Sequence, residues 1–427
     1  MRIRKYITWG LLAIGGFSGS IQPAHGQFVP GQITVWRVGG DGAFGPGATT
    51  LGSTATAAFL DQFNPTTAGQ LLPSFTLSLP TTVGSLAQTD SGSATSNGLF
   101  TRSQNSSSLI TPGYNAAVGT AGVAGSDPNV INRSIGVVSQ SGANNSATGF
   151  NNGPLNNYRS AVGDGANNFW VSTAGSAAAP GIFYIPSAQF GTVAAATGVL
   201  NGNTRQLRVF NNTLFASSGS AAPGVGVSLV GSVGALPTSS VTSALLPGTG
   251  TSGTGTPSPY GFYLFDNPLN GNNWNGTGFD TLYLVDDRTA ANGGGLQRWV
   301  FDGANWGLTA TATFTSTASA GGFRGLVASI DTTGQPTVTL WATTVGVAAS
   351  GNELVTVSDV LTAGGGAFGS FVSLATAPTN TAFRGVDFSP VTSTVPEPTS
   401  LALVGLATIG LGYCGYARRR HVNETER

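Results

Sequence analysis

Between its two ends the chain has no lysine, no histidine and no cysteine. Lys5 is the single lysine, His25 and His421 are the two histidines, and Cys414 is the one cysteine. Without histidine the body has no Ser-His-Asp or Cys-His catalysis and no imidazole ligand for a metal. Without lysine it has neither a Schiff-base amine nor a lysine general base. Without cysteine it has no disulfide, no thiol nucleophile and no thiolate metal site, so packing and hydrogen bonds alone hold it together. Charge is scarce as well: Asp, Glu, Lys and Arg make up 8% of the chain, against about 25% in an average globular protein. Between Gln27 and Thr394 ten arginines face fourteen carboxylates, a net of −4. No basic patch is present to neutralise phosphates, which argues against nucleic acid as a partner. No Gly-Lys-Ser/Thr phosphate loop occurs among the 64 glycines, and no cofactor or metal is expected.

The ends are where the cations and the long apolar runs lie. Arg2, Arg4 and Lys5 precede an apolar stretch from about Ile7 to Phe17, and Ala24-His25-Gly26 comes after it. A positive start, a short apolar run and small residues at positions −3 and −1 describe a secretory signal peptide over 1–26, cut between Gly26 and Gln27 with Ala24 at −3. At the other end residues 399–417 form nineteen residues without a charge, with Arg418, Arg419 and Arg420 directly after them. A helix of that length matches a bilayer core of about 30 Å. The arginine cluster then acts as a stop-transfer signal that keeps 418–427 in the cytoplasm and leaves the body outside.

In front of that segment stands Val395-Pro396-Glu397-Pro398. This motif, an apolar helix and a basic cluster close to the chain end together resemble the PEP-CTERM sorting signal. The resemblance covers about the last 33 residues, and implies an exosortase that recognises Pro396, Glu397 and Pro398 and processes the tail. It also implies a bacterium that makes extracellular polysaccharide. Two prolines keep the motif extended and remove backbone donors, so residues 391–398 read as an accessible linker.

From Gln27 to Pro390 no helical periodicity stands out. Runs of four to six β-formers alternate with turn pairs. Gln206–Phe210 and Thr213–Ser217 flank Asn211-Asn212, a pair that tolerates the positive φ of a tight hairpin. Leu296–Phe301 turns at Asp302-Gly303 into Asn305–Leu308, and Val338–Ala342 with Glu353–Val357 repeat the pattern. A larger period is also visible. Phe323-Arg324-Gly325 and Phe383-Arg384-Gly385 lie sixty residues apart, and Tyr158-Arg159-Ser160 has the same aromatic, arginine, small-residue order. Units of roughly 45 to 60 residues with about four short strands have the spacing of propeller blades. Starts near Tyr158, Arg205, Pro259, Phe323 and Phe383, with one or two before residue 150, predict an all-β fold over 27–390. It is read as a single β-propeller of six or seven blades between the signal peptide and the transmembrane sorting helix. The strand near Phe383–Phe388 is expected to complete the first blade near Ile33–Val38, which hides the sheet edges without disulfides. Ser91–Ser103, Gly113–Asn115 and Asn132–Gly136 resemble the first blades of uncharacterised secreted bacterial propellers. A pair of β-sandwiches and a right-handed β-helix are the alternatives.

Carboxylates are what remains for chemistry. Asp266, Asp280, Asp286, Asp287, Asp302 and Asp387 are candidates for a general acid and base, which need two carboxyl groups facing each other across a cleft. Asp164-Gly165 and Asp302-Gly303 read as turns instead. The oxygen-rich stretches at Asp164–Asn168 and Asp286-Asp287 do not match a calcium loop, and Asp286-Asp287-Arg288 reads as a local charge pair. Among Trp274, Trp299, Trp306 and Trp341 only Trp274 stands in a polar loop, and is the expected glycan contact. Arg159, Arg324 and Arg384 repeat with the blades and read as ties between them. The whole describes a non-enzymatic binding or scaffolding propeller, sorted by an exosortase to the cell surface or extracellular matrix, with extracellular polysaccharide as the candidate partner. The alternative is a carbohydrate-active enzyme using paired aspartates in the propeller cleft.

Overall fold

The computed structural model describes residues 27–250, 255–346 and 351–392. The signal peptide expected over 1–26, the Pro396-Glu397-Pro398 motif, the apolar segment and Arg418–Arg420 lie outside the described residues.

Six sheets of antiparallel strands succeed one another around an axis. Blade 1 consists, from the axis outward, of Ala382–Phe388, Ile33–Val38, Ala58–Phe63 and Phe75–Ser78. Blade 2 takes Thr101–Arg102, Ser108–Tyr114, Arg133–Ser139 and Asn144–Phe150. Blade 3 takes Tyr158–Gly163, Phe169–Thr173, Pro180–Ile185 and Thr197–Asn201. Blade 4 takes Leu207–Phe210, Thr213–Ser218, Gly226–Val230 and Ser243–Leu245. Blade 5 takes Pro259–Phe265, Thr281–Asp286, Gly295–Phe301 and Trp306–Ala312. Blade 6 takes Ser319–Asp331, Thr337–Gly346 and Glu353–Thr362, with Gly365–Phe368 and Val372–Thr376 sharing the outer position.

The fold is therefore a six-bladed β-propeller, and the sandwich and β-helix alternatives fall away. One blade starts between blade 1 and residue 150, at Thr101, and the other five start where the repeat places them. The C-terminal strand closes the ring: Phe388 pairs with Ile33, Asp387 with Thr34 and Ala382 with Val38. Closure thus pairs the inner edge of Ile33–Val38 within the ring, without a disulfide.

Burial is set by this layering. A middle strand is covered by a neighbouring blade on each face, so Phe169-Trp170-Val171-Ser172-Thr173 is buried throughout instead of alternating. The outer strand Trp306–Ala312 is largely exposed beyond its first residue. Apolar residues therefore meet between blades. Ile110, Tyr114 and Ile135 of blade 2 pack on Phe169, Val171 and Phe183 of blade 3. Phe215, Val227 and Leu229 of blade 4 pack on Phe262, Leu264 and Leu282 of blade 5. Hairpins are set by local chemistry: Asn211 and Asn212 hold φ of +47° and +57°, the pair of left-handed residues that a two-residue turn matching strand twist requires.

The aromatic, arginine, small-residue repeat has a backbone meaning. Each copy is a bulge in an inner strand. Tyr158 pairs with Thr173 and Ser160 with Ser172, leaving Arg159 as the extra residue. Phe323 pairs with Thr344 and Gly325 with Thr343, which leaves out Arg324. In blade 1 the register slips between Phe383 and Val386, across Arg384. An extra residue breaks the two-residue alternation and re-aims its side chain. The small residue is demanded by the neighbour. A Cβ on Gly261 would lie 2.7 Å from the Arg324 carbonyl oxygen, and one on Gly325 or Gly385 would overlap the carbonyl of Arg384 or Gly98. Inner strands approach that closely only where no side chain intervenes.

Candidate functional site

The bulged arginines tie blades together, as their repetition suggests. Arg159 of blade 3 donates Nη1 to the Thr204 carbonyl, 2.7 Å, in the segment entering blade 4. Arg384 of blade 1 donates to the carbonyls of Ser91 and Gly92 at 2.9 and 2.8 Å, and to Asp90, 3.1 Å, on the way into blade 2. Arg324 of blade 6 meets Asp287 of blade 5 at 2.9 Å. Blade 5 has Tyr260 at the bulge. The Arg205 guanidinium lies 4.0 Å from that ring and Arg324 lies 5.5 Å from it, so one aromatic ring serves two cations. Burial pulls Arg159 down to about 10 and lowers Arg384 as well.

Three residues beyond the bulge position the inner strands present a second set of side chains. Blades 3 and 6 have Val162 and Val327 there; blades 1, 4 and 5 have Asp387, Arg208 and Tyr263. These three, with Arg102 at the end of blade 2's inner strand, line a cavity of about 350 Å³ where the inner strands finish. Gln104 and Asn211 stand at its rim, and Phe210 and Phe279 give it apolar wall.

The polar groups of the cavity are unequally satisfied. Asp387 Oδ2 accepts from Arg208 Nη1 at 2.9 Å and from the Arg102 backbone N–H at 3.1 Å, and Oδ1 accepts from Phe388 N–H at 2.8 Å. Both carboxylate oxygens are thus engaged. Arg208 also donates Nη2 to the Leu326 carbonyl, 2.6 Å, and its guanidinium lies 5.0 Å from the Tyr263 ring, while Nε is buried without a partner. Arg102 differs. Its guanidinium lies 5.3 Å from the Phe388 ring, and among the described residues no carboxylate pairs with it. Burial raises the Tyr263 hydroxyl above its ordinary range; Arg208 pulls it back, and Asp387 adds to the rise. The cavity therefore offers two guanidinium groups, one engaged carboxylate, amide donors and aromatic faces, a net positive site inside an acidic body.

Of the carboxylates singled out from sequence, Asp266 and Asp280 come near enough to feel each other's charge, while the chain neighbours Asp286 and Asp287 go to different arginines. Asp266 is exposed. Asp280 is buried in blade 5, accepting from Asn267 N–H and the Thr281 hydroxyl, and its second oxygen has no partner; burial pushes it up to about 6. Asp286 pairs with Arg288 at 2.9 Å, the local charge pair expected there, whereas Asp287 goes to Arg324. Asp302 bonds Ala304 and Asn305 N–H within its turn, which holds its carboxyl below the usual range. Asp164 likewise bonds Ala166 and Asn168 N–H. Only Asp387 of this group lines the axial cavity.

The structure corrects the expectation for Trp274. Its polar loop points to an exposed glycan contact, yet Trp274 is 7% exposed and packs edge-on against Trp306, ring centroids 6.3 Å apart. The asparagines around it form a short helical turn that folds the ring back into the core between blades 4 and 5. Trp299, Trp306 and Trp341 are buried too. The cavity residues are not evident from sequence because the visible repeat is the arginine position. A signal does exist: polar residues at the third position after the bulge in three blades, against valine in two.

The chain leaves the propeller beside this cavity. Ser389 N–H donates to the Gln32 carbonyl, 2.9 Å, and Val391 N–H to that of Ser106, 3.0 Å, a residue of the cavity wall. The nature of the segment beyond is decided by sequence. Residues 394–420 match the model of the PEP-CTERM protein-sorting motif. The chain carries a PEP-CTERM sorting signal. That signal implies export and exosortase processing at the cell envelope, with a six-bladed propeller as the part delivered. The match contains Pro396, Glu397, Pro398 and Arg418–Arg420, the residues read as recognition element and basic cluster. No curated protein matches the chain.

Proposed function

We propose that this exosortase substrate is a non-enzymatic binding propeller of the cell surface or extracellular matrix, and that it takes its ligand in the axial cavity. The observation that carries this reading is the cavity itself, where four blades converge unlike side chains on one space of about 350 Å³. That size lies in the range of small-molecule sites, whose usual make-up is apolar wall with a few directed polar groups. A binder is favoured over a hydrolase because the cavity's carboxylate, Asp387, has both oxygens engaged, whereas glycoside hydrolysis needs a second carboxyl opposite it.

The tail gives this reading a direction. Thr392 N–H donates to Gln140 Oε1, 2.7 Å, close to where Val391 meets Ser106. From Thr392 to Thr399 the chain spans roughly 24 Å at most, at about 3.4 Å per extended residue. Before processing, the cavity end is therefore tethered within about that distance of the membrane, where the bilayer hinders the approach of a polymer more than that of a small ligand. The test is a glycan-array screen of the protein against extracellular polysaccharide fragments, with Tyr263→Ala as the cavity variant and Trp274→Phe as a core control. Binding lost in the first and kept in the second is expected; binding kept in both overturns the axial site.

A further inference from the structure

We infer that the axial cavity selects a ligand bearing a carboxylate on a hydroxylated ring of monosaccharide size, and that Arg102 is its specificity-determining residue. This inference rests on the axial cavity being the binding site. Six of the ten arginines of the body lie on or next to the inner strands: Arg102, Arg159, Arg205, Arg208, Arg324 and Arg384. Five of them have protein acceptors. Arg159 has the Thr204 carbonyl, Arg205 the Ser258 hydroxyl and Pro259 carbonyl, Arg208 Asp387, Arg324 Asp287 and Arg384 Asp90. Arg102 also lines the cavity, and its guanidinium has a ring contact with Phe388 and no carboxylate among the described residues.

A guanidinium presents parallel N–H groups in a plane, the geometry that a carboxylate accepts two at a time. Phosphate shares part of that match, but the cavity favours a single negative charge: its two cations face one engaged carboxylate, which leaves a net of about one positive charge. The rest of the wall describes the rest of the ligand. Gln104 and Asn211 supply amides that both donate and accept, suited to hydroxyl groups. Tyr263, Phe210 and Phe279 supply ring faces for the C–H side of a sugar ring. The acid is either free or part of an acidic polymer, and the two sources are distinguished by the test.

The test uses the full chain in non-ionic detergent, with its tail removed by a protease site placed after Thr394, titrated calorimetrically with three probes: glucuronate, glucose and a linear glucuronate-containing polymer. Glucuronate is expected to bind at least tenfold more tightly than glucose, with affinity that falls from 25 to 200 mM salt. Arg102→Leu should remove that tenfold preference and the salt dependence, and Arg102→Lys should restore part of both, while melting temperature stays unchanged. Polymer binding without free-acid binding assigns the site to an acid within a chain, and binding of both assigns it to the acid alone. Equal affinity for glucose and glucuronate, unaffected by Arg102→Leu but lost in Tyr263→Ala, overturns the carboxylate inference and leaves the axial site standing. Sugar binding that survives both variants overturns the two together, and no glucuronate binding in any form overturns the inference outright.

Discussion

Replacing Asp359 tests how the blades are held together without disulfides. Asp359 is on the third strand of blade 6, and its partners are on blade 5. Arg298 Nη1 donates to both its oxygens, to Oδ1 at 2.7 Å, and the Tyr283 hydroxyl donates to Oδ2 at 2.7 Å. Arg298 directs its other donors to the Gly366 carbonyl, 2.8 Å, and the Thr309 hydroxyl, 3.0 Å. The two charged side chains are 2% and 0% exposed. Asp359→Leu strands a buried guanidinium and a buried hydroxyl, a cost of about 4 kcal/mol. Arg298→Met strands the carboxylate at similar cost. The double variant leaves no buried charge, so it should lose far less than the sum, with a coupling of at least ~2 kcal/mol. With unfolding entropy near 2.1 cal/mol/K per residue over roughly 360 residues, 4 kcal/mol lowers Tm by about 5 °C. Differential scanning calorimetry and urea titration of the single and double variants read these values. Single variants that each cost under about 1 kcal/mol, or a double variant equal to their sum, would refute the clamp.

The other predictions concern charge, backbone and tail. Asp280, pushed up to about 6 by burial, is raised above its unfolded value of 3.8, so the folded state holds the proton longer. Its contribution is greatest in acid and is lost as pH rises from about 4 to 6; Asp280→Asn should flatten stability across that window and raise it at pH 7.5 by about 1–3 kcal/mol, read by urea titration at several pH values. Gly325→Ala should cost about 2–4 kcal/mol because its Cβ overlaps the Arg384 carbonyl, while Gly364→Ala, whose Cβ meets nothing within 4 Å, should stay within about 1 kcal/mol. Changing Pro396-Glu397-Pro398 to three alanines should leave the tail uncut, seen as a mass increase and retention in the membrane fraction; unchanged processing refutes recognition there. The same uncut protein should bind a small acid normally and a polymer at least tenfold more weakly, since the short tether keeps the cavity end near the bilayer; equal polymer binding would refute that hindrance.

Much of the fold was legible because propellers advertise themselves at two scales. The hairpin at Asn211-Asn212 is written in turn chemistry, which is local. The blade period is written in Tyr158-Arg159-Ser160, Phe323-Arg324-Gly325 and Phe383-Arg384-Gly385, which recur because each inner strand meets the same steric demand from its neighbour. Blade 2 was harder to place, since its inner strand is only Thr101–Arg102 and Asn97-Gly98-Leu99 precedes it where blades 1, 3 and 6 have the aromatic, arginine, small-residue triplet. Trp274 misled because polarity along the chain does not reveal which way a short helical turn points its one large ring. Cavity residues were hidden for a topological reason: Arg102, Arg208, Tyr263 and Asp387 are spread over 286 positions and become neighbours only when the ring closes.

The closing strand also explains why the axis holds charge at all. Asp387 belongs to the strand that completes blade 1, and it receives Arg208 from blade 4 across the axis and the Arg102 backbone from blade 2. Three blades that are not all adjacent are thus fixed by one carboxylate at the end of the inner strands. A purely structural design would satisfy that need with apolar residues, as blades 3 and 6 do at the equivalent position by packing Val162 and Val327 between blades, because replacing a buried ion pair by well-packed apolar residues is often neutral or stabilising. Holding Arg208 and Asp387 there instead, with Arg102 beside them lacking a carboxylate, costs desolvation that the ring does not need for closure. That cost has a reason if the same groups orient a ligand, since Asp387 fixes Arg208 and the Arg102 backbone while the Arg102 guanidinium is left without a carboxylate beside the cavity. Stability therefore accounts for the arginines at the bulges and not for the one at the end of blade 2's inner strand.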